Sequence, residues 1–271
     1  MSIKLPLLAQ IAKEAGDEIL RMQSQVVANE HGEQQMKPDN SPVTIADTKA
    51  NEMVCEGLKR HFPNIAIVSE ENPEAENARA LTMDERFDTD PLDNTKGYVK
   101  GRDGFSVNIG RIKNGIPIEG VVYFPARKEL YFTEGDKAYL QEGDAAPQEM
   151  KVRELPLRSP LEVAVGFSEQ HIPDLKGREY QEKRYPAQLR TCMVAGGDCD
   201  ISGINKGRSD GYNCWDIAGG HAVLRKAGGE LVDEQGEPIR YPKDTIKVAS
   251  HIAGGRDVLV ALGLGNAASL K

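Results

Sequence analysis

The sequence predicts a layered α/β or α+β protein, with helices packed on sheets, and three stretches of its 271 residues carry that prediction. Two helix-periodic segments open the chain, a strand meander fills its middle, and strands and helices alternate toward its end. Residues 5–27 place Leu7, Leu8, Ile11, Ala12, Ala15, Ile19 and Leu20 at helical spacing, which predicts a first amphipathic helix. Residues 37–42 are polar and turn-rich and read as a mobile loop. A second helix starts near Thr44 or Asp47, with Ala50, Met53, Val54 and Leu58 along one face. Residues 65–68 form a short apolar run, a buried strand that ends directly in Ser69-Glu70-Glu71.

Residues 86–90 read as a strand that leaves the pleat at a turn, because Pro91 fixes its own φ and pushes Asp90 toward an extended conformation. From 105 to 140 the period changes to two. Phe105, Val107 and Ile109 alternate with smaller or polar residues, and Asn114-Gly115 marks a hairpin turn. Residues 121–124 and 129–132 continue the meander. The polar segment 141–148 is the best boundary, dividing the chain into halves at 1–145 and 146–271. Beyond it the pattern gives a strand at 161–167, a helix at 215–227, a strand at 229–233, a last strand at 246–250 and a closing helix near 257–262.

Composition narrows the function classes. A net charge of −8 argues against a nucleic-acid surface, which needs clustered Lys and Arg, while a small anionic substrate remains compatible if bound cations dominate locally. The four cysteines form no CxxC pair, and Cys192 and Cys199 are too isolated from histidine for a zinc site, so mostly buried, reduced thiols are expected. The first residues lack a signal peptide's apolar core, and no apolar run approaches the ~18 residues needed to span a bilayer. A cytoplasmic location follows as the expectation.

Residues 88–98, Asp-Thr-Asp-Pro-Leu-Asp-Asn-Thr-Lys-Gly-Tyr, carry the densest chemical signal. Asp90 and Asp93 straddle Pro91, so two carboxylates and the Leu92 carbonyl can converge on one point, a set of hard oxygen donors suited to Mg²⁺. The amides of Asn94, Thr95 and Lys96 can open a helix, a natural place for phosphate. An exposed acidic turn without a ligand is the plain alternative. Three further acidic segments keep a similar choice open. Ser69-Glu70-Glu71 is a strand-end site or a solvated turn, and Asp47 and Asp216 are ligands or helix caps.

The four segments together resemble one family. Asp90-Pro91-Leu92-Asp93-x-Thr95 is similar to the DP(I/L)DGT signature of the inositol monophosphatase superfamily, the lithium-sensitive, magnesium-dependent phosphatases. Trp215-Asp216-x-Ala218-Gly219-Gly220, continuing to Ala227-Gly228-Gly229, resembles its WDxAAG…AGG signature. Ser69-Glu70-Glu71 resembles its (G/S)EE motif, and Pro42-Val43-Thr44-x-Ala46-Asp47 its PVTxAD motif. Within the superfamily, Lys37-x-x-x-Ser41-Pro42-Val43-Thr44, the serine of Ser69-Glu70-Glu71, Phe105-Ser106-Val107-Asn108-Ile109 and Gly220-His221-Ala222-Val223-Leu224 resemble the bacterial 3′(2′),5′-bisphosphate nucleotidases.

The resemblance implies an αβαβα sugar-phosphatase fold, with a mixed, largely antiparallel first sheet and a smaller C-terminal α/β half. It implies that Glu70, Asp90, Asp93, Asp216 and the Leu92 carbonyl hold two or three Mg²⁺ ions. Asp47 and Thr95 then orient and deprotonate the attacking water, with Glu71 assisting. Asn94, Thr95, Gly196, Gly197 and Asp210 are the implied substrate contacts. The implied substrate is adenosine 3′,5′-bisphosphate, cleaved to AMP and phosphate. An inositol or other small sugar phosphate is the alternative, and an inactive nucleotide- or metal-binding relative is a third reading. An EF-hand fails, because counting from Asp88 puts Asp93 where that loop needs glycine. Superfamily members are monomers or homodimers, and neither a nucleic-acid polymer nor a membrane is implied as a partner.

Three departures from the family pattern stand out. Asn94 replaces the glycine of DGT, and if that position needs φ > 0, Asn is the least costly substitute. Lys96-Gly97-Tyr98 replaces the nucleotidases' K-E-F and loses an acid. The run 207–215 is short, Gly196-Gly197 stands where the family has GS, and Asp210 is only a candidate for the sugar-contacting acid. His221 and His251 read as packing or capping residues.

Overall fold

A computed structural model describes residues 5–28, 35–36, 42–167, 170–186, 188–205 and 211–270. The N-terminal elements are α1 (Leu7–Ala28), the paired short strands β1 (Gln35–Met36) and β2 (Pro42–Val43), α2 (Ile45–His61), β3 (Ala66–Ser69) and α3 (Glu74–Leu81). There follow β4 (Glu85–Asp93), the single-turn α4 (Thr95–Tyr98), β5 (Ser106–Lys113), β6 (Ile116–Phe124), β7 (Glu129–Glu134), β8 (Lys137–Glu142) and β9 (Gln148–Met150). Strands β3 to β9 form one seven-stranded sheet in sequence order, with β3 and β4 parallel and every later pair antiparallel. Asn114 and Gly115 make the two-residue β5–β6 turn, both with positive φ, as the Asn-Gly dipeptide predicts.

The rest of the chain contains β10 (Leu161–Val165), β11 (Gln170–His171), β12 (Tyr180–Arg184), α5 (Leu189–Ala195), β13 (Ile201–Ser202), β14 (Ile204–Asn205) and β15 (Tyr212–Asn213). It closes with α6 (Cys214–Lys226), β16 (Gly229–Val232), β17 (Lys247–Val248), β18 (Ile252–Gly255) and α7 (Arg256–Leu262). Five of these strands form a second sheet in the order β12-β10-β13-β18-β16, and β11–β14 and β15–β17 are separate antiparallel pairs.

Alternation along the strands sorts the core into layers. Residues of α1 and α2 pack on one face of the first sheet through Ile19, Val54, Phe87, Ile109 and Phe132. The other face, with Val122 and Phe124, meets α5 and α6, which also cover Ala164, Leu231 and Ala253 of the second sheet. The far side of that sheet, Leu161, Val163, Val165 and Ile252, is closed by Val258, Leu259 and Leu262 of α7. The order helix, sheet, helix, sheet, helix is the five-layered arrangement the family resemblance implies.

Two glycines set the depth at which α6 lies on the first sheet. A Cβ on Gly110 would come within 2.4 Å of the Ala218 Cβ, and one on Gly219 within 2.5 Å of the Val121 carbonyl oxygen. Helix and sheet backbones therefore touch here, and nothing larger than hydrogen fits at either position.

Several elements differ from what the sequence predicts. Strand β4 does not end at Asp90. It runs through Pro91 and Leu92 as a bulge, and Asp93 pairs again with Ser106 of β5. A proline is tolerated there because the bulge needs no ladder donor from it. Residues 246–250 are not the last strand either, since β18 follows and lies in the second sheet between β13 and β16. The polar segment 141–148 joins β8 to β9, and both belong to the first sheet, which extends to Met150. Residues 37–41, read as a loop, lie outside the described residues. The four cysteines are buried and unpaired, and among the described residues no helix is long and apolar enough to cross a membrane.

Candidate active site

The register of the first sheet brings Glu70 to Asp90. Ser69 pairs with Thr89 in the parallel β3–β4 ladder, and the Glu70 amide donates to the Thr89 carbonyl at 3.3 Å. Glu70 thus leaves the end of β3 beside β4, where Asp90 forms the last ladder pair before the bulge. Asn77 of α3 fixes this exit, accepting the Ser69 amide at 3.0 Å and donating to the Ser69 carbonyl at 2.7 Å. Asn51 of α2 accepts the Ser69 hydroxyl at 2.7 Å.

Asp216 arrives from the other direction. It is the third residue of α6, and Asn213 forms a capping box with it, its amide donating to one carboxylate oxygen at 3.4 Å. Asp216 is therefore a cap and a site residue at once. Because α6 rests on β5 and β6 through Gly110 and Gly219, its first turn reaches the end of β4. Carboxylate oxygens of Glu70, Asp90 and Asp216 lie within 4.8 Å of one another.

Asp93 lines the same cleft without joining that group of three. Asp90 is buried, and the Leu92 amide donates to its Oδ1 at 3.0 Å. Burial pushes the Asp90 carboxyl well above its ordinary pKa, and the charges of Glu70, Asp93 and Asp216 push it further. Crowded carboxylates of this kind need a counter-charge, and hard oxygen donors match a small divalent cation. The residues present thus fit the Mg²⁺ that the family resemblance implies.

Asp47 and Thr95 form a second pair beside this cluster. Asp47 is the third residue of α2, and its Oδ2 accepts both the amide and the hydroxyl of Thr44 at 2.7 Å. Its Oδ1 remains for the Thr95 hydroxyl at 3.1 Å, which also lies 3.2 Å from the Leu92 carbonyl. Asp47, like Asp216, both caps a helix and faces the site.

Asn94 shows why the family glycine could be replaced. Its φ of 66° and ψ of 45° are left-handed, a region Asn tolerates better than other side chains. Its side chain accepts the Gly97 amide at 3.2 Å and donates to the Gly104 carbonyl at 3.0 Å, ties that glycine cannot make.

The remaining residues singled out by the sequence fall elsewhere or stay apart. Glu71 belongs to neither the carboxylate group nor the cleft wall; its amide donates to the Ser69 hydroxyl at 3.4 Å. Gly196 and Gly197, expected as substrate contacts, close the C-terminal end of α5, whereas the cleft is reached at its first residue, Leu189. Seven residues of helix separate the two ends by about 10 Å. Gly197 has φ 77° and its carbonyl accepts Arg153, so the pair makes a helix stop. Asp210 lies outside the described residues. His221 is buried against Glu230 and Tyr241, and His251 bonds the Ala249 carbonyl, both packing roles.

The cleft encloses about 970 Å³. Besides the acids, it is lined by Lys96, Arg102, Arg127 and Arg184 and by an apolar stretch of Phe167, Tyr185 and Pro186. Apart from Lys96, which follows the Asp90–Thr95 motif, no motif marks these residues. They come from separate loops and strand ends, and only the fold assembles them.

Comparison with known proteins agrees with this geometry. A family model described as the inositol monophosphatase family matches residues 5–261. The 3′(2′),5′-bisphosphate nucleotidase CysQ of Salmonella typhimurium is 34% identical over 243 residues, covering 88% of this chain and 93% of that protein. CysQ of Escherichia coli strain K12 is 34% identical over 244 residues, with the same coverage. Among solved structures, CysQ from Bacteroides thetaiotaomicron, a bacterial member of the inositol monophosphatase family, superposes with a TM-score of 0.69 at 28% identity, over 91% of this chain and 96% of that one. SuhB from Bartonella henselae shares the fold with a TM-score of 0.71 at 24% identity, over 98% and 97% of the two chains.

Proposed function

The chain belongs to the inositol monophosphatase family, and from that premise we propose that it is a Mg²⁺-dependent phosphomonoesterase hydrolysing adenosine 3′,5′-bisphosphate to AMP and phosphate. The observation that carries the reading is the convergence of Glu70, Asp90 and Asp216 within 4.8 Å beside the Thr95–Asp47 hydrogen bond. The relatives named as 3′(2′),5′-bisphosphate nucleotidases support the substrate.

In this reading Glu70, Asp90, Asp93, Asp216 and the Leu92 carbonyl hold two or three Mg²⁺ ions. Bound there, Mg²⁺ supplies Lewis-acid stabilisation of phosphate charge and lowers the pKa of the attacking water. The chain's own part is to place and deprotonate that water. Thr95 orients it, and Asp47, whose Oδ1 accepts the Thr95 hydroxyl, takes its proton. Amides of Asn94 and Thr95 hold phosphate oxygens for in-line attack without a covalent intermediate. Glu71 has an auxiliary role through its neighbour Glu70. The same reading carries the halves 1–145 and 146–271, a cytoplasmic location and a monomer or homodimer.

Phosphate release from a panel of nucleotide, inositol and sugar phosphates tests it. Mg²⁺-dependent, lithium-inhibited release from adenosine 3′,5′-bisphosphate is expected. Release only from inositol or sugar phosphates keeps the chemistry and overturns the substrate. Release from nothing in the panel overturns the enzyme reading.

A further inference from the structure

The cleft is lined by charges of both signs. Besides Glu70, Asp90, Asp93, Asp103 and Asp216, its lining presents Lys96, Arg102, Arg127 and Arg184, four cations at one cavity in a chain of net charge −8. Three separate segments bring the arginines together. A Cβ on Gly104 would come within 2.8 Å of Pro186, so the loop of Arg102 abuts the stretch that follows Arg184. Arg127, in the β6–β7 turn, reaches the same loop through Asp103 at 3.4 Å.

Their charges are unequally neutralised. Arg127 is held by Glu129 at 3.0 Å as well as by Asp103. Arg184 pairs with the exposed Glu182 at 3.0 Å and donates to the Gly166 carbonyl at 3.0 Å. Arg102 has no ion pair among the described residues, and all three arginines are exposed to the cleft. Lys96 directly follows Thr95 and belongs to the reacting end. A single phosphate does not need about 970 Å³, a volume suited to a ligand of nucleotide size. The apolar stretch of Phe167, Tyr185 and Pro186 gives the ring system of such a ligand a wall to lie on.

We propose that Arg102 and Arg184 form a subsite for a second phosphate group on the substrate, and that they set a preference for doubly phosphorylated over singly phosphorylated esters. The inference rests on the reading that the scissile phosphate reacts at the carboxylate cluster. Guanidinium groups suit this task, since their donor fork matches phosphate oxygens and stays charged at every working pH. The anion held there is either the second phosphate of one substrate molecule or free inorganic phosphate, and the two differ in how affinity depends on covalent linkage.

The test compares adenosine 3′,5′-bisphosphate with 3′-AMP, the same nucleoside lacking one phosphate, using the full chain. The ratio of their kcat/KM values is expected to be on the order of 100 for the wild type, as charge-assisted hydrogen bonds allow. Arg102→Ala and Arg184→Gln should each lower that ratio about tenfold, chiefly through KM, and Arg102→Lys should recover part of it. Arg102 is an exposed loop residue with no ion pair among the described residues, so its variant stays informative if Arg184→Gln misfolds. Calorimetric binding of the two nucleotides reads the same ratio without turnover. Free phosphate competing equally against both nucleotides, with Arg102→Ala leaving their ratio unchanged, overturns the linked subsite. So does a wild-type ratio near one. An arginine-dependent preference for fructose 1,6-bisphosphate over a sugar monophosphate, with nucleotides inert, keeps the subsite and overturns the nucleotide reading. Nucleotide hydrolysis whose ratio ignores both arginines does the reverse.

Discussion

Replacing Asp90 by Asn separates the electrostatics of the carboxylate cluster from its chemistry. Oxygens of Glu70, Asp90 and Asp216 lie within 4.8 Å of one another. Two unit charges at that distance repel by about 3.5 kcal/mol at an effective dielectric of about 20. Asp90 takes part in two of the three repulsions, and Asp93 adds to them. A proton taken up by the cluster relieves only part of this. Asn keeps an acceptor for the Leu92 amide at 3.0 Å and removes the charge. Without metal, the Asp90→Asn protein should therefore be more stable than wild type by about 2–4 kcal/mol, or roughly 4–8 °C in Tm for a chain of this size. Mg²⁺ at about 100 times its Kd should stabilise the wild type by about 2.7 kcal/mol and the variant much less. Turnover should fall by at least about 10²-fold, because several kcal/mol of charge stabilisation lose a ligand. The pH dependence has a definite sign. A carboxyl whose folded pKa is raised above 3.8 holds a proton that the unfolded chain has released. Metal-free wild type should lose stability as pH rises from 3.8 toward the folded pKa, and the variant should show a flatter profile. Thermal unfolding in EDTA and in Mg²⁺, across pH, measures all of this. A variant melting at or below wild type in EDTA would refute the argument, as would an undiminished Mg²⁺ shift.

Three further outcomes are expected. Thr95→Ala removes the hydroxyl 3.1 Å from Asp47 and should lower kcat by about 10²–10⁴-fold while leaving the Mg²⁺-induced Tm shift intact; a matching loss of that shift would move Thr95 into the metal set. Asn94→Gly fits the left-handed backbone but gives up the bonds to Gly97 and Gly104, so activity should persist with a loss of about 1 kcal/mol, whereas Asn94→Val should cost more than both bonds because a β-branched residue is strained at φ 66°. Equal melting temperatures for the two variants would contradict the backbone argument. Asn77→Ala removes both ties to the Ser69 backbone and should destabilise by about 2 kcal/mol. It should also raise the Mg²⁺ concentration for half-maximal activity, and an unchanged requirement would show that Asn77 does not hold Glu70 in place.

Local pattern revealed a good deal of this protein. The first two helices, the Asn114-Gly115 hairpin and the closing helix all follow from period and turn chemistry, because each reports a single segment's own preference. The motif words singled out Glu70, Asp90 and Asp216, which the fold brings together, and the hydrogen-bonded Asp47–Thr95 pair, and the glycine-to-asparagine change at position 94 pointed to a positive φ. Strand β18 was invisible because Ile-Ala-Gly-Gly has little strand propensity, and pairing with β13 and β16 on both sides makes it a strand. Strand β12, Tyr-Gln-Glu-Lys-Arg, is almost wholly polar, yet it adds to β10 as an edge where solvent covers its outer side. The convergence of the acids depended on the same non-local terms. The β3–β4 register brings Glu70 to Asp90, and two glycines let α6 lower Asp216 onto them. The arginines of the cleft carry no sequence signal at all, since exposed cations on three unrelated segments look like ordinary surface until packing turns them toward one cleft. Periodicity along a chain shows which face a segment buries, but which segments then become neighbours is decided by tertiary packing over separations that no local pattern spans.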